Sequence, residues 1–525
     1  MSNNTKASKP PALGQSAPQT SGYSEAAGSH SRRAFKGFNP NSTSPNEDIN
    51  WNNFTMRQRA RMLYMGAPIA TSAINTNRTK VVGAGLVAKP TINHKRLGMT
   101  PEAAKLWAQH TEEEFSLWAS KKQNCDSIAM NNFAGLQQIA VVSWLTSGDV
   151  FALVQREDPT RLNPYSLRMH LVEADRISTP SSTGIMLSGV TDGMNEQNKN
   201  DIFDGVEVDS KGKVVAYHVC NSYPIQQSYK RKPLEWTRVL AYGKETGLPN
   251  ILHVMSAERP EQYRGVSYLA QAMEPILQMR RFTESTLMAA LVQTYFTAWV
   301  TTDTDQSEIP FNEVGSDVVG KDGGPKREMD ANENEYDMGP GTINHMADGE
   351  KITFGNPNIP TATFDEFCKS IAKLCGAALE IPQEILLKEF NSSYSAARAA
   401  LLEAWEAFKV RRRWLVDDFC QPVYELWLSE AVARGRISAP GFFDDPAIRE
   451  AWCKVRWMGP VQGQLDPLKE VNAAEKQVNN AFKTRSSVTL EMGGGDWHEN
   501  VSEMAIENQM LADAQVETKE GGSTQ

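Results

Sequence analysis

From Arg57 to about Lys80, Met62, Ile69, Ala73 and Ile74 recur near the 3.6-residue period of an amphipathic helix. The same period predicts helices over 101–119 and 128–147. Strand signals then take over. "GDVFALVQRE" alternates, breaks at "DPTRLNP" and resumes as "SLRMHLVEADRI". "GVEVDSKGKVVAYHV" predicts a hairpin, with β-branched arms and a turn made by Asp209, Ser210 and Gly212. Residues 50–255 therefore read as mixed α+β, helices first and antiparallel strands after.

A long helix is predicted to begin near Ser267, with Pro275 in its first turns as a kink or restart. Leu277, Leu287, Leu291 and Phe296 fall on its helical spacings, with Arg280, Arg281 and Glu284 among them. So narrow an apolar stripe suits a helix packed laterally on neighbours. "GEKITFGNP" reads as a strand, and 362–379 as a second helix that stops at "EIPQEIL". After the polar loop "KEFNSSYS", a third helix is expected from Ser395 to about Ala433. Leu401, Trp405, Phe408, Leu415 and Phe419 make its stripe, and Pro422 bends it. Short helices and a polar tail follow over 434–525. At the other end, residues 1–48 are rich in Ser, Pro, Gly and Asn and are expected to be a disordered arm.

A chain of 525 residues that is 40% hydrophobic with 12 Trp can bury a sizeable core, and its length suggests two to four domains or one elongated body. The net charge of −9 argues against a simple polyanion binder. That charge is concentrated: residues 301–350 hold 13 Asp and Glu against Lys321, Lys326 and Arg327, a net of −10. The six cysteines form no C-x-x-C pair and no zinc spacing, which suits free thiols in a reducing compartment. Residues 1–48 carry no apolar run of a signal peptide, and the apolar stretch 287–300 falls short of a bilayer span. A soluble protein made in a cytoplasm, with no membrane contact, is the expectation.

Candidate chemistry is sparse. Gly83 and Gly85 in "VVGAGLVAKP" mimic a dinucleotide fingerprint, but a helix precedes them and the third glycine is missing, so a turn into an extended segment is expected. No Walker loop and no G-x-S-x-G elbow occur. "WHENVSEM" has Ser502 where a metalloprotease motif needs its second histidine. His110 with Glu114, the acids of "DTD" at 303–305, and Cys368 with Cys375 each fall short of a metal site, so neither metal nor cofactor is expected. The densest cationic cluster, Arg411, Arg412 and Arg413, reads either as DNA-phosphate contacts or as helix-surface pairing with Glu406 or Asp418.

The order of these parts resembles the portal proteins of tailed bacteriophages, and the wording resembles the lambda-like portal family. The resemblance spans roughly 50–510. "GAPIATSAINTNRTKVVGAGL", "SGDVFALVQ", "HLVEADRIS", "DGVEVDSKGKVVAYHV", "RGVSYLAQAMEPILQMRRFTESTLMAALV" and "IPQEILLKEFNSSYSAARAALLEAWEAFKVRRRWL" carry it. It implies a non-enzymatic α+β portal fold forming a dodecameric ring. The implied parts are a disordered arm (1–48), a mixed α/β wing (49–266) and a first stem helix (267–297). A small α/β clip (298–361), a second stem helix (362–382) and a tunnel loop (383–395) follow. A long wing helix (396–433) and a helical crown with the C-terminal tail (434–525) complete the chain.

The resemblance further implies a channel through which double-stranded viral DNA passes at packaging and ejection. Lys388, Asn391, Ser392, Ser393, Tyr394 and Arg398 would face that DNA. Asp303, Asp305, Glu308, Glu333, Glu335 and Asp337 of the clip would dock the terminase large subunit and later the head-completion and tail adaptor proteins. The major capsid protein would surround the ring at one virion vertex, after assembly in the host cytoplasm. Two alternatives remain at this point: another head–tail connector or scaffold ring protein, and a nucleotide-binding enzyme using Gly83 and Gly85.

Overall fold

The structure is a computed structural model that describes residues 42–180, 192–223, 233–294, 298–302, 350–354, 364–390, 393–463, 466–493 and 495–520. Its first helix, α1 (Pro45–Gly66), begins well before the position the apolar spacing indicates. A capping box starts it: the Ser44 side chain accepts from the Glu47 amide, the Glu47 carboxylate accepts from the Ser44 amide, and Pro45 occupies the first helical position. The inner face of this half-helix is polar, burying Asn46, Asn50, Asn53 and Arg57, so hydrophobic periodicity does not report it. Residues 45–48, expected within a disordered arm, are the start of α1, and residues 1–41 lie outside the described residues.

Helix α2 (Pro68–Val81) follows and leads into β1 (Val87–Pro90). Gly83 and Gly85 have φ of 62° and 129° and turn the chain between them, which is the turn into an extended segment that the sequence suggests. Helix α3 (Pro101–Ala119) has the bounds read from the sequence; α4 (Lys122–Cys125) is one turn; α5 begins later than expected, as Phe133–Ser147.

Three strands form the middle layer: β2 (Asp149–Arg156), β3 (Leu167–Glu173) and, after the meander below, β9 (Ile251–Met255), in the antiparallel order β3-β2-β9. The meander comprises β4 (Asp192–Met194), β5 (Asp201–Phe203), β6 (Val206–Val208), β7 (Val214–Cys220) and β8 (Trp236–Leu240), hydrogen-bonded in sequence order. The β6–β7 hairpin turns where expected, with Asp209 accepting from the Lys211 and Lys213 amides.

Strand β2 is apolar on both faces because it lies between two cores. Val150 and Ala152 pack on the helical side, while Phe151 meets Val206, Tyr217 and Val219 of the meander. Two-residue periodicity distributes the side chains between the layers.

Beyond this body, α6 (Met273–Thr294) starts after a 3-10 turn at Ala270–Ala272. Pro275 is its third residue, where a missing amide costs little, so the proline begins the helix rather than kinking it. Strands β10 (Ala298–Thr302) and β11 (Glu350–Phe354) pair antiparallel, bringing together the two ends of 303–349. Helix α7 (Phe364–Ala378) returns alongside α6, with the Phe282 ring 5.5 Å from Phe364 and 4.7 Å from Phe367.

Short α8 (Gln383–Leu387) precedes α9 (Tyr394–Leu415) and α10 (Gln421–Ala433). The single long helix read from the sequence is divided by a π-helical turn over Val416–Cys420, which accommodates Pro422. The apolar stripe of this unit reaches the main core: Phe419 stacks on Phe133, and Tyr424 and Trp427 meet Phe115 edge-on. Helix α11 (Pro446–Cys453) leads to β12 (Val455–Met458), which pairs antiparallel with β1. Helices α12 (Pro467–Asn479), α13 (Arg485–Gly493) and α14 (Trp497–Glu520) complete the chain.

Candidate functional site

The loop between α7 and α9 is held at its root and open at its tip. Arg411 of α9, 5% exposed, holds the root. Its guanidinium donates to Asn77 Oδ1 at 3.1 Å, lies 2.6 Å from the Glu380 carboxylate and stacks 4.8 Å over the Tyr268 ring. Tyr268 in turn donates its hydroxyl to the Leu379 carbonyl. Glu380 and Lys388, neither of them glycine, adopt φ of 50° and 58°, so left-handed turns bracket α8. Lys369 of α7 bridges Asp365 at 2.7 Å and Glu389 at 3.0 Å, fastening the chain just past α8 to α7.

At the tip, Lys388 and Phe390 are exposed and Ser393 caps α9, accepting from the Ala396 amide at 3.4 Å. The knot of small hydroxyl residues thus ends in a helix cap. Tyr394 is the first residue of α9, and Arg398 lies one turn on, 3.7 Å from Glu470 of α12. Asn391 and Ser392 lie outside the described residues, as do all six clip acids, Asp303, Asp305, Glu308, Glu333, Glu335 and Asp337.

The arginine triplet requires a correction. Arg411 is taken up by the loop root, and Arg412 by the end of α2. Arg412 donates to the carbonyls of Val81 (2.9 Å), Lys80 (2.7 Å) and Pro460 (2.8 Å), and burial lowers its pKa. A cation on the last carbonyls of a helix matches the negative end of its dipole. Neither side chain is available to a phosphate. Only Arg413 is exposed, at 75%, and it pairs at 2.7 Å with Asp417 rather than Asp418. Lys409 pairs with Glu406.

The histidine and carboxylate spaced one turn apart on α3 serve the packing of the body. Glu114 binds Arg436 and accepts from the Tyr165 hydroxyl at 2.6 Å; His110 Nε2 lies 3.2 Å from the Arg436 carbonyl. Among the described residues no group of His, Cys, Asp and Glu is placed to hold a metal ion, and no helix is long and apolar enough to cross a membrane.

The largest feature that sequence reading missed is a buried charge hub where α6's approach leaves the body. Arg264, fully buried, grips Asp149 with Nε at 2.7 Å and Nη2 at 3.2 Å, and reaches Asp204 at 2.7 Å. Arg57 of α1 adds contacts to Asp204 at 3.2 Å and Asp149 at 3.7 Å. Burial pushes the Asp149 carboxyl up, but Arg264 and Arg57 outweigh it and hold the carboxyl well below its usual range. His253, stacked on Phe151, has its pKa lowered by burial.

Beside the hub two backbones cross. A Cβ on Gly265 would stand 1.9 Å from the Gly148 carbonyl oxygen, and one on Gly148, at φ 91°, would stand 2.5 Å from that of Gly265. The sequence places a glycine beside a charge twice, with opposite signs, at Gly148–Asp149 and Arg264–Gly265, but nothing local ties the two pairs together.

Residues 31–412 match the family described as phage portal protein, lambda family. The portal protein of Escherichia phage N15 is 22% identical over 479 residues, covering 86% of this chain and 83% of that protein. Portal protein B of Escherichia phage lambda is 22% identical over 452 residues, covering 82% and 79%. Among solved structures, the neck of the native gene transfer agent particle is 11% identical over 84% of this chain and 92% of that one, with a TM-score of 0.41.

Proposed function

The chain belongs to the lambda family of phage portal proteins, and from that premise we propose that it closes as a dodecameric ring at one capsid vertex. Double-stranded viral DNA passes through the ring's channel at packaging and at ejection. The observation that carries the ring is the open apolar face of the α6–α7 pair. Leu287 and Met288 are 63% and 59% exposed, and Leu374 is 67% exposed. Copies of the same pair, side by side, would cover that face.

In this reading the loop from α8 to α9 faces the duplex. Lys388, Asn391, Ser392, Ser393 and Tyr394 present one cation and a run of neutral hydroxyl and amide groups, with Arg398 behind them. Neutral donors exchange phosphate contacts easily. A ring of arginines would release counterions, bind tightly and resist sliding. Tying Arg411 and Arg412 into the body leaves the passage with few free cations. Asp303, Asp305, Glu308, Glu333, Glu335 and Asp337 belong to the segment with net charge −10, which would meet basic surfaces of the terminase large subunit and then of the head-completion and tail adaptor proteins. The major capsid protein surrounds the ring in the virion, and assembly takes place in the host cytoplasm.

Substituting the loop tests the channel assignment. Ser392→Trp and Ser392→Lys are expected to leave ring assembly intact while blocking packaging of DNA into proheads. Normal packaging by Ser392→Trp rings would contradict a position in the lumen.

A further inference from the structure

Helix α14 runs for 24 residues, about 36 Å, yet among its described side chains only those of the first turns touch the body. There Lys89 bridges Glu112 and Glu499 at 2.6 Å each. From 498 to 513 every residue is exposed. Val501, Met504, Ile506, Met510 and Leu511 are between 43% and 65% exposed. Helices α12 and α13, which lead to it, bury no residue either. An isolated helix bearing this much apolar surface is poorly stable in water and aggregation-prone unless something covers it.

Its charges narrow the choice of cover. Between 499 and 513 the helix has no lysine or arginine, and Glu503 and Glu507, one turn apart, have no ion pair among the described residues. Two α14 helices laid together would set these carboxylates against each other, which disfavours self-pairing. The complementary surface lies on the body. Lys95 and Arg96, in the turn before α3, and Lys105, in its second turn, are exposed and without an ion pair among the described residues. Leu106, beside Lys105, is 68% exposed. In one protomer Lys105 sits at the foot of its own α14, lining the same cleft as His498 and Glu499, while Arg96 lines a second cleft with Arg413 and Glu450.

We propose that the middle of α14, through Glu503, Met504, Glu507, Met510 and Leu511, docks on Lys95, Arg96, Lys105 and Leu106 of an adjacent copy of the chain. The contact joins two different surfaces head to tail, the type of interface that closes a ring when the rotation permits. It rests on the ring reading above.

Charge reversal in the full-length chain tests it. Glu503→Lys with Glu507→Lys, or Lys95→Glu with Arg96→Glu and Lys105→Glu, should each raise the protein concentration needed for rings about tenfold. All five changes together should recover most of that loss. Because every changed residue is exposed, far-ultraviolet circular dichroism of the protomer should not move. A second variant, Glu503→Cys with Lys105→Cys, should give a ladder of covalent oligomers on oxidation of preformed rings. Unchanged ring stability, no recovery in the combined variant, or a disulfide within one copy would each overturn the docking while leaving the ring standing. A wild-type chain that forms no rings would overturn both.

Discussion

The body of this protein and the α6–α7 pair are built from similar helices but close their surfaces differently. In the body, Trp118, Phe133, Phe419 and Trp427 are at most 2% exposed, and strand β2 is covered on both faces. In α6–α7 the aromatic contacts among Phe282, Phe364 and Phe367 hold two helices together, while Leu287, Met288 and Leu374 face outward. One region completes its core within a single chain. In the proposed ring the other is half of an interface, and its stability would then depend on the copies around it. The charge hub of Arg57, Arg264, Asp149 and Asp204 lies in the body a few residues before α6 begins.

Breaking the hub is expected to have the largest effect on the protomer. Asp149→Ala leaves the buried Arg264 without its bidentate carboxylate and Arg57 without one of its partners, and should lower unfolding stability by about 3–5 kcal/mol in chemical denaturation. A loss below about 1 kcal/mol would mean that the hub does not organise the body. The effect depends on pH. Because the folded-state pKa of Asp149 is depressed, its contribution is present above the unfolded value, near 3.9, and is lost as pH falls through the folded value.

Gly265→Ala comes next. The added methyl must displace the Gly148 carbonyl, at a cost of about 2–3 kcal/mol in the same assay, and the departure of α6 should shift with it. A neutral result would show that the two backbones can part freely.

Asp418 offers the smallest change, of opposite sign. Burial, and then the neighbouring Asp417, raises its carboxyl to about 6. A raised carboxyl favours the folded state while protonated, so its contribution is full below about 3.9 and lost as pH rises through 6. Asp418→Asn should therefore stabilise the body by on the order of 1–2 kcal/mol at pH 8 and by almost nothing at pH 3.5. Equal effects at both pH values would contradict burial as the cause.

The body was largely legible in the sequence wherever apolar spacing dictates structure. Helix 101–119 and the hairpin around Asp209 and Gly212 came directly from periodicity and turn chemistry. The start of α1 did not, because that half-helix buries asparagines and an arginine instead of an apolar stripe. Its capping box, Ser44 to Glu47 with Pro45 between, was present and is a local signal. The hub could not be read, since Arg57, Asp149, Asp204 and Arg264 are brought together only by the fold. The arginine triplet shows the limit of counting charges: three adjacent cations on one helix point to three surroundings, and only Arg413 reaches solvent freely.

Whether the open face of α6–α7 is an interface between copies is read from the native mass of the full-length chain. The wild type should give a discrete species of twelve copies. Leu287→Asp combined with Met288→Asp should instead give a folded monomer, with the body's stability changed by less than about 0.5 kcal/mol. A wild-type chain that remains monomeric at every concentration, or a double variant that still assembles to the same mass, would contradict it.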